Sequence, residues 1–380
     1  MTPLLWLGLS MAVQWQPGET AGPGITYRQG SDPAGPWVVH VIEFDPKTPG
    51  IDLIAARAKD SLTGKETVSS MARRHAAIAA VNAGYFVVAG PYAGAPVSAY
   101  MLAGQLLAGS ADQVAVGIPG APLSGNPERT ALVLCDTPGE VERLEMDLVR
   151  FEGTVTASGA SQPLRGLNRP RTADDFVLYT ARIGGNTRTD KSGVEVALDA
   201  SSRAVRMEMG FGSLAIPEGG RVLSASGSAA DWLRAHVRLG DPVEVAYGTG
   251  RRQPSGACTA KDLVAAGPRL VRGGVIASGT EGFLHEQARH PRTAIGVTRA
   301  ETILLVAVDG RQQASVGMTV EELARFMLDL GAVEAMNLDG GGSSTMVING
   351  RVANSPSDRK EREVSDALLL VPRGARQSAP

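Results

Sequence analysis

The stretch that decides the fold is Asn337-Leu338-Asp339-Gly340-Gly341-Gly342-Ser343-Ser344-Thr345. An apolar run (Ala332, Val333, Ala335, Met336) precedes it, and another (Met346, Val347, Ile348) follows. Glycine gives up more backbone freedom on folding than any other residue, so a glycine run between two strand-like runs points to a sharp bend or a close approach. An amide, a carboxylate and three hydroxyls flank the glycines, a set suited to a phosphate or a sugar. The same residues also describe a plain turn whose hydroxyls cap loose N–H groups. The rest of the chain has to decide between turn and site.

Working upstream, Thr302 to Val308 is a continuous apolar run that ends at Asp309-Gly310-Arg311. Thr319-Val320-Glu321-Glu322 is a capping box, with the hydroxyl at the N-cap and a glutamate three residues on. The following helix places Val320, Leu323, Phe326, Met327 and Leu330 on one face and stops at Gly331. This order predicts a strand–helix–strand unit whose two strands run parallel, with the helix on one sheet face. Ligands gather at the carboxyl ends of such strands, where Asp309 and Asp339 both lie. Downstream, Asn349-Gly350 is a type I′ hairpin signal, and Val364 to Val371 supplies a last strand.

Glycine (46) and proline (23) are abundant and aromatics form only 4% of the 380 residues. Short strands at close spacing dominate, so the fold class expected is α+β or mixed α/β, β-rich, with few helices. Two helices beyond the capped one are expected, from Thr67 to Arg74 and from Ala229 to Val237. Residues 1–35 are read as an apolar N-terminal segment followed by a linker. Residues 36–372 form the main domain, 114–250 its strand-rich middle part, and 373–380 a tail. The segment 157–171 reads as a long loop. A net charge of −2 leaves no electrostatic footprint for nucleic acid, and no run approaches the ~20 apolar residues of a membrane span. The N-terminal apolar run lacks a basic start but carries Ser10-Met11-Ala12, resembling the remnant of a secretory signal. The two cysteines, Cys135 and Cys258, lack metal-ligand spacing and are either a disulfide or two thiols. The five histidines are dispersed, so no metal and no cofactor is expected.

Four further stretches share one grammar, an apolar strand giving way to glycine and a polar side chain. They are Asn82-Ala83-Gly84-Tyr85-Phe86, Gly267-Pro268-Arg269-Leu270, Arg292-Thr293-Ala294-Ile295-Gly296 and Asp309-Gly310-Arg311-Gln312. A phosphate-binding P-loop is excluded because no lysine precedes the hydroxyls at 343–345 and a strand follows them. The Gly-x-Ser-x-Gly elbow of serine hydrolases is also missing. Taken in order with the triple glycine, these stretches resemble the motifs of the phosphodiester glycosidase family, from about residue 35 to 372. Asn168-Arg169 and Val177-Leu178-Tyr179-Thr180 resemble the middle part of its bacterial members, while Ala83 stands where many members carry glycine.

The resemblance implies hydrolysis of the glycosidic bond of a sugar-1-phosphodiester and a secreted or cell-envelope setting linked to exopolysaccharide. The expected catalytic carboxylates are Asp339 and Asp309, as nucleophile or as base for water. Arg269, Arg292 and Arg311 are expected to meet the phosphate, and Asn82 and Asn337 the sugar hydroxyls. The backbone N–H groups of Gly340, Gly341, Gly342 and Ser343 would form an anion cradle. Gly84, Thr293 and Ser344 complete the expected rim. The competing reading is a non-catalytic envelope protein that binds polysaccharide through the same residues.

Overall fold

Two antiparallel sheets stacked face to face position the residues singled out above. The computed structural model describes residues 12–111, 129–136, 143–251, 259–277 and 287–374. In the first sheet the principal strands run in the order Ile25–Asp32, Trp37–Phe44, Ile303–Val308, Arg292–Thr298, Ala332–Asn337 and Arg269–Arg272. The second sheet has the order Arg351–Val352, Met346–Ile348, Ala79–Asn82, Asp366–Pro372 and Ile51–Arg57.

Alternation along these strands sends every second apolar side chain to the space between the sheets. Ile42, Phe44, Leu305, Ala307 and Met336 from the first share one core with Leu53, Val81, Met346, Leu368 and Leu370 from the second. The opposite residues point outward, and each sheet covers them with a helix. Val320–Asp329 lays Val320, Leu323, Phe326 and Met327 over Val41, Leu304 and Val306. Val68–Arg74 lays Val68, Met71 and Ala72 over Ile54, Ala80 and Leu369. The result is four layers, helix, sheet, sheet, helix, with each fully buried Leu, Ile or Phe contributing about 1.5–3 kcal/mol. Among the described residues, a third sheet of 12 strands carries the middle of the chain. Helix Ser228–His236 packs its Ala229, Ala230 and Leu233 there against Phe176, Val196 and Leu223. The described residues thus form a β-rich mixed fold with three α-helices.

Local signals act as written. Thr319 accepts from the Glu322 N–H at 3.1 Å, and the Glu322 carboxylate accepts from the Thr319 N–H at 2.9 Å. Asn349 (φ 47°) and Gly350 (φ 77°) both take the left-handed region that a type I′ turn needs.

Ile303–Val308 and Ala332–Asn337 run in the same direction but are not neighbours: Arg292–Thr298 lies between them, antiparallel to both. They point the same way because two antiparallel steps restore direction. Two further expectations differ from the structure. Residues 14–35 are not a linker, since Gln14–Trp15, Glu19–Gly22 and Ile25–Asp32 are strands. There Gly24 and Gly35 sit at the turns between strands, and Ile25 is fully buried against the sheet. Residues 157–171 are not one loop either. A turn at Ser158-Gly159 returns the strand Arg143–Ala157 onto Ala160–Pro163. Cys135 is disulfide-bonded, and Cys258 lies outside the described residues, as does the N-terminal apolar run through residue 11.

Candidate active site at the triple glycine

Strand register gathers the polar residues at one end of both sheets. Arg292 stands opposite Val308, and Ala294 opposite Asn337, so Asp309, Arg292 and Asp339 leave the first sheet together. In the second sheet Ala367 stands opposite Asn82 and Met346 opposite Val81, which brings Asn82, Thr345 and Asp366 to its matching edge. Asn82, fully buried, joins the two edges. Its Nδ2 donates to the Asp339 carbonyl at 2.6 Å, and its Oδ1 accepts from Thr293 Oγ1 at 2.8 Å and the Thr345 N–H at 3.1 Å. Asn337 Nδ2 donates to Tyr85 Oη (2.9 Å) and to the carbonyls of Gly267 (2.9 Å) and Leu338 (2.7 Å). Both amides and the Thr293 hydroxyl therefore hold the protein's own groups, although Asn337 Oδ1 is left without a partner.

The triple glycine does not present a row of free donors. Gly340 N–H donates to Asp339 Oδ1 at 2.9 Å, Gly341 N–H to the Pro291 carbonyl at 2.8 Å, and Ser343 N–H to the Gly340 carbonyl at 3.2 Å. Close approach explains the glycines instead. A Cβ on Gly340 would lie 2.9 Å from the Pro291 carbonyl oxygen, and one on Gly341 (φ +63°) 3.2 Å from Arg311 Nη2. A Cβ on Gly342 would collide with the Arg362 guanidinium and the Asp358 carboxylate. Two exposed arginine heads thus lie against the glycine backbone. Gly342→Ala is expected to displace the Arg362 head while leaving the melting temperature within a few degrees, because the neighbour that must move is a flexible side-chain end. Calorimetry with inorganic phosphate checks this: weaker binding at unchanged fold is the expected outcome.

Asp339 is the carboxylate in the unusual environment. Burial pushes it from 3.8 to about 7, against the hydrogen bonds from Ser343 and the Gly340 N–H, and the Asp366 charge adds to the rise. Asp309 is buried and fully engaged: Oδ2 lies 3.3 Å from His40 Nε2, and Oδ1 accepts from Ser355 N–H (2.9 Å) and Asn354 Nδ2 (3.2 Å). Arg311 reaches His290 Nδ1 at 3.1 Å. Arg292 is buried, donating to the carbonyls of Met318 and Ala288 at 2.8 Å each, and burial draws its pKa down. Arg269 pairs with Glu334 and donates to the Met146 carbonyl, contacts that belong to the sheet rather than to the glycine turn. Ser344 is buried with its Oγ unpartnered.

Sequence reasoning missed Asp366. Its Oδ1 accepts the Gly84 N–H at 2.8 Å, and its Oδ2 lies 3.4 Å from Arg57 Nη1 across the strand pair. Burial raises its pKa, with Arg57 opposing the rise. A lone charged residue heading the apolar run Ala367 to Val371 was the one signal available, since an unpaired carboxylate there is costly.

Comparison with known proteins bears on this arrangement. Residues 192–371 match the family model for phosphodiester glycosidase. Human N-acetylglucosamine-1-phosphodiester alpha-N-acetylglucosaminidase is 46% identical over 86 residues, 21% of this chain and 16% of that protein. The SPbeta prophage-derived uncharacterized protein YomE of Bacillus subtilis is 40% identical over 82 residues, 22% of this chain and 13% of that one. The chain therefore aligns with only a small part of these relatives' length. A Burkholderia pseudomallei K96243 crystal structure, of a protein whose assignment as exported is itself an inference, shares the fold. It superposes with a TM-score of 0.76 at 24% identity, over 95% of this chain and 97% of that one.

Proposed function

We propose that the protein hydrolyses the glycosidic bond of a sugar-1-phosphodiester, a reading supported by the match of residues 192–371 to the phosphodiester glycosidase family model. The observation that carries this reading is the Asp339 carboxyl, held near pKa 7 beside the turn on which Arg311 and Arg362 rest. A base works best when its pKa lies near the working pH, and guanidinium forks suit phosphate oxygens. Asp339 takes a proton from water as the water oxygen bonds to the anomeric carbon. The bond from that carbon to the phosphate oxygen breaks, its electron pair leaves with the phosphate, and Arg311 balances the charge together with Arg362, whose guanidinium is held by Asp358 at 2.6 Å. The products are a free sugar and a phosphomonoester. Such a leaving group needs no strong acid. No helix among the described residues is long and apolar enough to cross a membrane. The bonded Cys135 favours an oxidising compartment, so we place the substrate outside the cytoplasm, as an envelope or extracellular glycan-phosphate.

Reducing-sugar release from a panel of sugar-1-phosphodiesters tests the reading. Turnover is expected, with kcat/KM rising about tenfold per pH unit below the Asp339 pKa and level above it. A profile that instead falls above pH 7 would assign Asp339 as an acid and overturn its role here. Absence of turnover across the panel, with glycan binding retained, would make the protein a polysaccharide-binding one.

A further inference from the structure

The strand Ala204–Met209 ends the 12-stranded sheet, and among the described residues it pairs along its length only with Val194–Leu198. Its register runs Val194 to Met209, Val196 to Met207 and Ala197 to Arg206, and the Gly210 N–H donates to the Gly193 carbonyl at 3.1 Å. Hydrogen-bonded and non-hydrogen-bonded pairs alternate in an antiparallel ladder. Glu208 and Arg206 therefore direct their backbone groups inward, and Met207 and Met209 direct theirs away from the sheet. At the near end Ala204 is already satisfied, with its N–H on the Asp241 carbonyl at 3.0 Å and its own carbonyl accepting from Gly240 at 2.7 Å.

This open edge is also apolar. Val205 is 49% exposed, Met209 63% and Phe211 61%. Edge strands are ordinarily guarded by proline, a bulge or charges that repel a second edge. Here the segment 204–211 has no proline, and its one register shift, at Val205 between the pairs Ala197–Arg206 and Leu198–Ala204, lies at the end already occupied by Gly240 and Asp241. Its two charges have opposite sign, Arg206 and Glu208, bridged to each other at 2.8 Å. The order Val-Arg-Met-Glu-Met reads almost the same from either end in chemical type. Antiparallel pairing of two such strands about Met207 sets Arg206 against Glu208 of the second copy, twice by symmetry. It also joins the outward backbone groups of the two Met207 residues. No other register of this strand on itself opposes the two charges twice.

We propose that the protein is a two-fold symmetric dimer in which the two Ala204–Met209 strands pair edge to edge, continuing one sheet across both copies. This inference is independent of the chemistry at Asp339. Sedimentation or light scattering on the full chain, over a dilution series, reads it directly. The wild type is expected at twice 39.5 kDa at the concentrated end. Arg206→Glu places like charges opposite each other at two points and is expected to raise the dimer dissociation constant roughly tenfold or more. The exchange Arg206→Glu with Glu208→Arg restores opposite signs in the same register and is expected to restore the dimer. Circular dichroism should stay unchanged and melting should move by no more than a few degrees, because Arg206 is exposed, Glu208 is partly exposed and the bridge between them lies at the surface. A wild-type monomer throughout the series overturns the proposal, and so does a dimer that the single reversal does not weaken.

Discussion

Asp339→Asn is expected to lower kcat/KM by roughly 10²–10⁴-fold, the range for a lost general base, while raising thermal stability above pH 7. The two effects have one cause. Burial lifts the carboxyl from 3.8 to about 7, so the folded chain favours its neutral form and resists its charged one. Stability associated with this group is fully present below the unfolded value near 4 and is lost as pH rises through about 7. Such a displacement corresponds to about 4 kcal/mol at most. Asp339 keeps partial solvent access, which reduces the gain to about 1–3 kcal/mol. Asparagine carries no charge at any pH and still offers an oxygen to the Gly340 N–H. The variant should therefore melt several degrees above the wild type at pH 8, with the gap closing as pH falls toward 5. Scanning calorimetry across that range checks the stability arm, and sugar release checks the activity arm. A variant that is inactive but no more stable at pH 8 would mean that Asp339 is not held in an unfavourable charged state.

What could be read from the sequence was what neighbouring residues determine. The capping box at Thr319, the turn at Asn349-Gly350 and the apolar alternation around 303–308 each act within a few residues, so their reading needs no knowledge of the fold. The triple glycine was legible as a close approach, yet its neighbours were not. Arg311 lies about 30 positions away, and Arg362 comes from beyond the next hairpin. Arginines as residue types suited to phosphate were legible too, but the partner that occupies each one was not. Glu334 takes Arg269 through the register of adjacent strands, and the carbonyls of Met318 and Ala288 take Arg292 through its burial. Asp366 escaped notice because its partner Arg57 is 309 residues distant. The one local signal, a lone carboxylate heading an apolar strand, says that a partner is needed but not where it is. Residues 14–35 misled for the opposite reason: their Gly and Pro content is that of a linker, and only the sheet edge beside Trp37–Phe44 makes strands of them.

Arg57→Met is expected to destabilise the fold by about 3–5 kcal/mol, because it removes one partner of a buried ion pair and leaves the other uncompensated. Arg57 and Asp366 are both under 4% exposed and stand opposite each other on adjacent strands. Arg57 Nη2 also donates to the carbonyls of Leu62, at 2.7 Å, and Gly94. Methionine keeps most of the apolar stem, so the loss is chiefly electrostatic and of hydrogen bonds. Without the guanidinium, which now opposes the rise, the Asp366 carboxyl moves further above its unfolded value. The deficit of the variant should therefore be largest at pH 8 and shrink under acid, as the carboxyl is protonated and its stranded charge disappears. A deficit equal at all pH values would place the effect in packing and in the two carbonyls instead. Adding Asp366→Asn removes the stranded charge while leaving an oxygen for the Gly84 N–H, and this double variant should recover much of the loss at pH 8. It also removes the charge that helps to hold Asp339 up near 7. The limb of its pH–activity profile should accordingly lie below that of the wild type, linking an ion pair inside the second sheet to the carboxyl at the glycine turn.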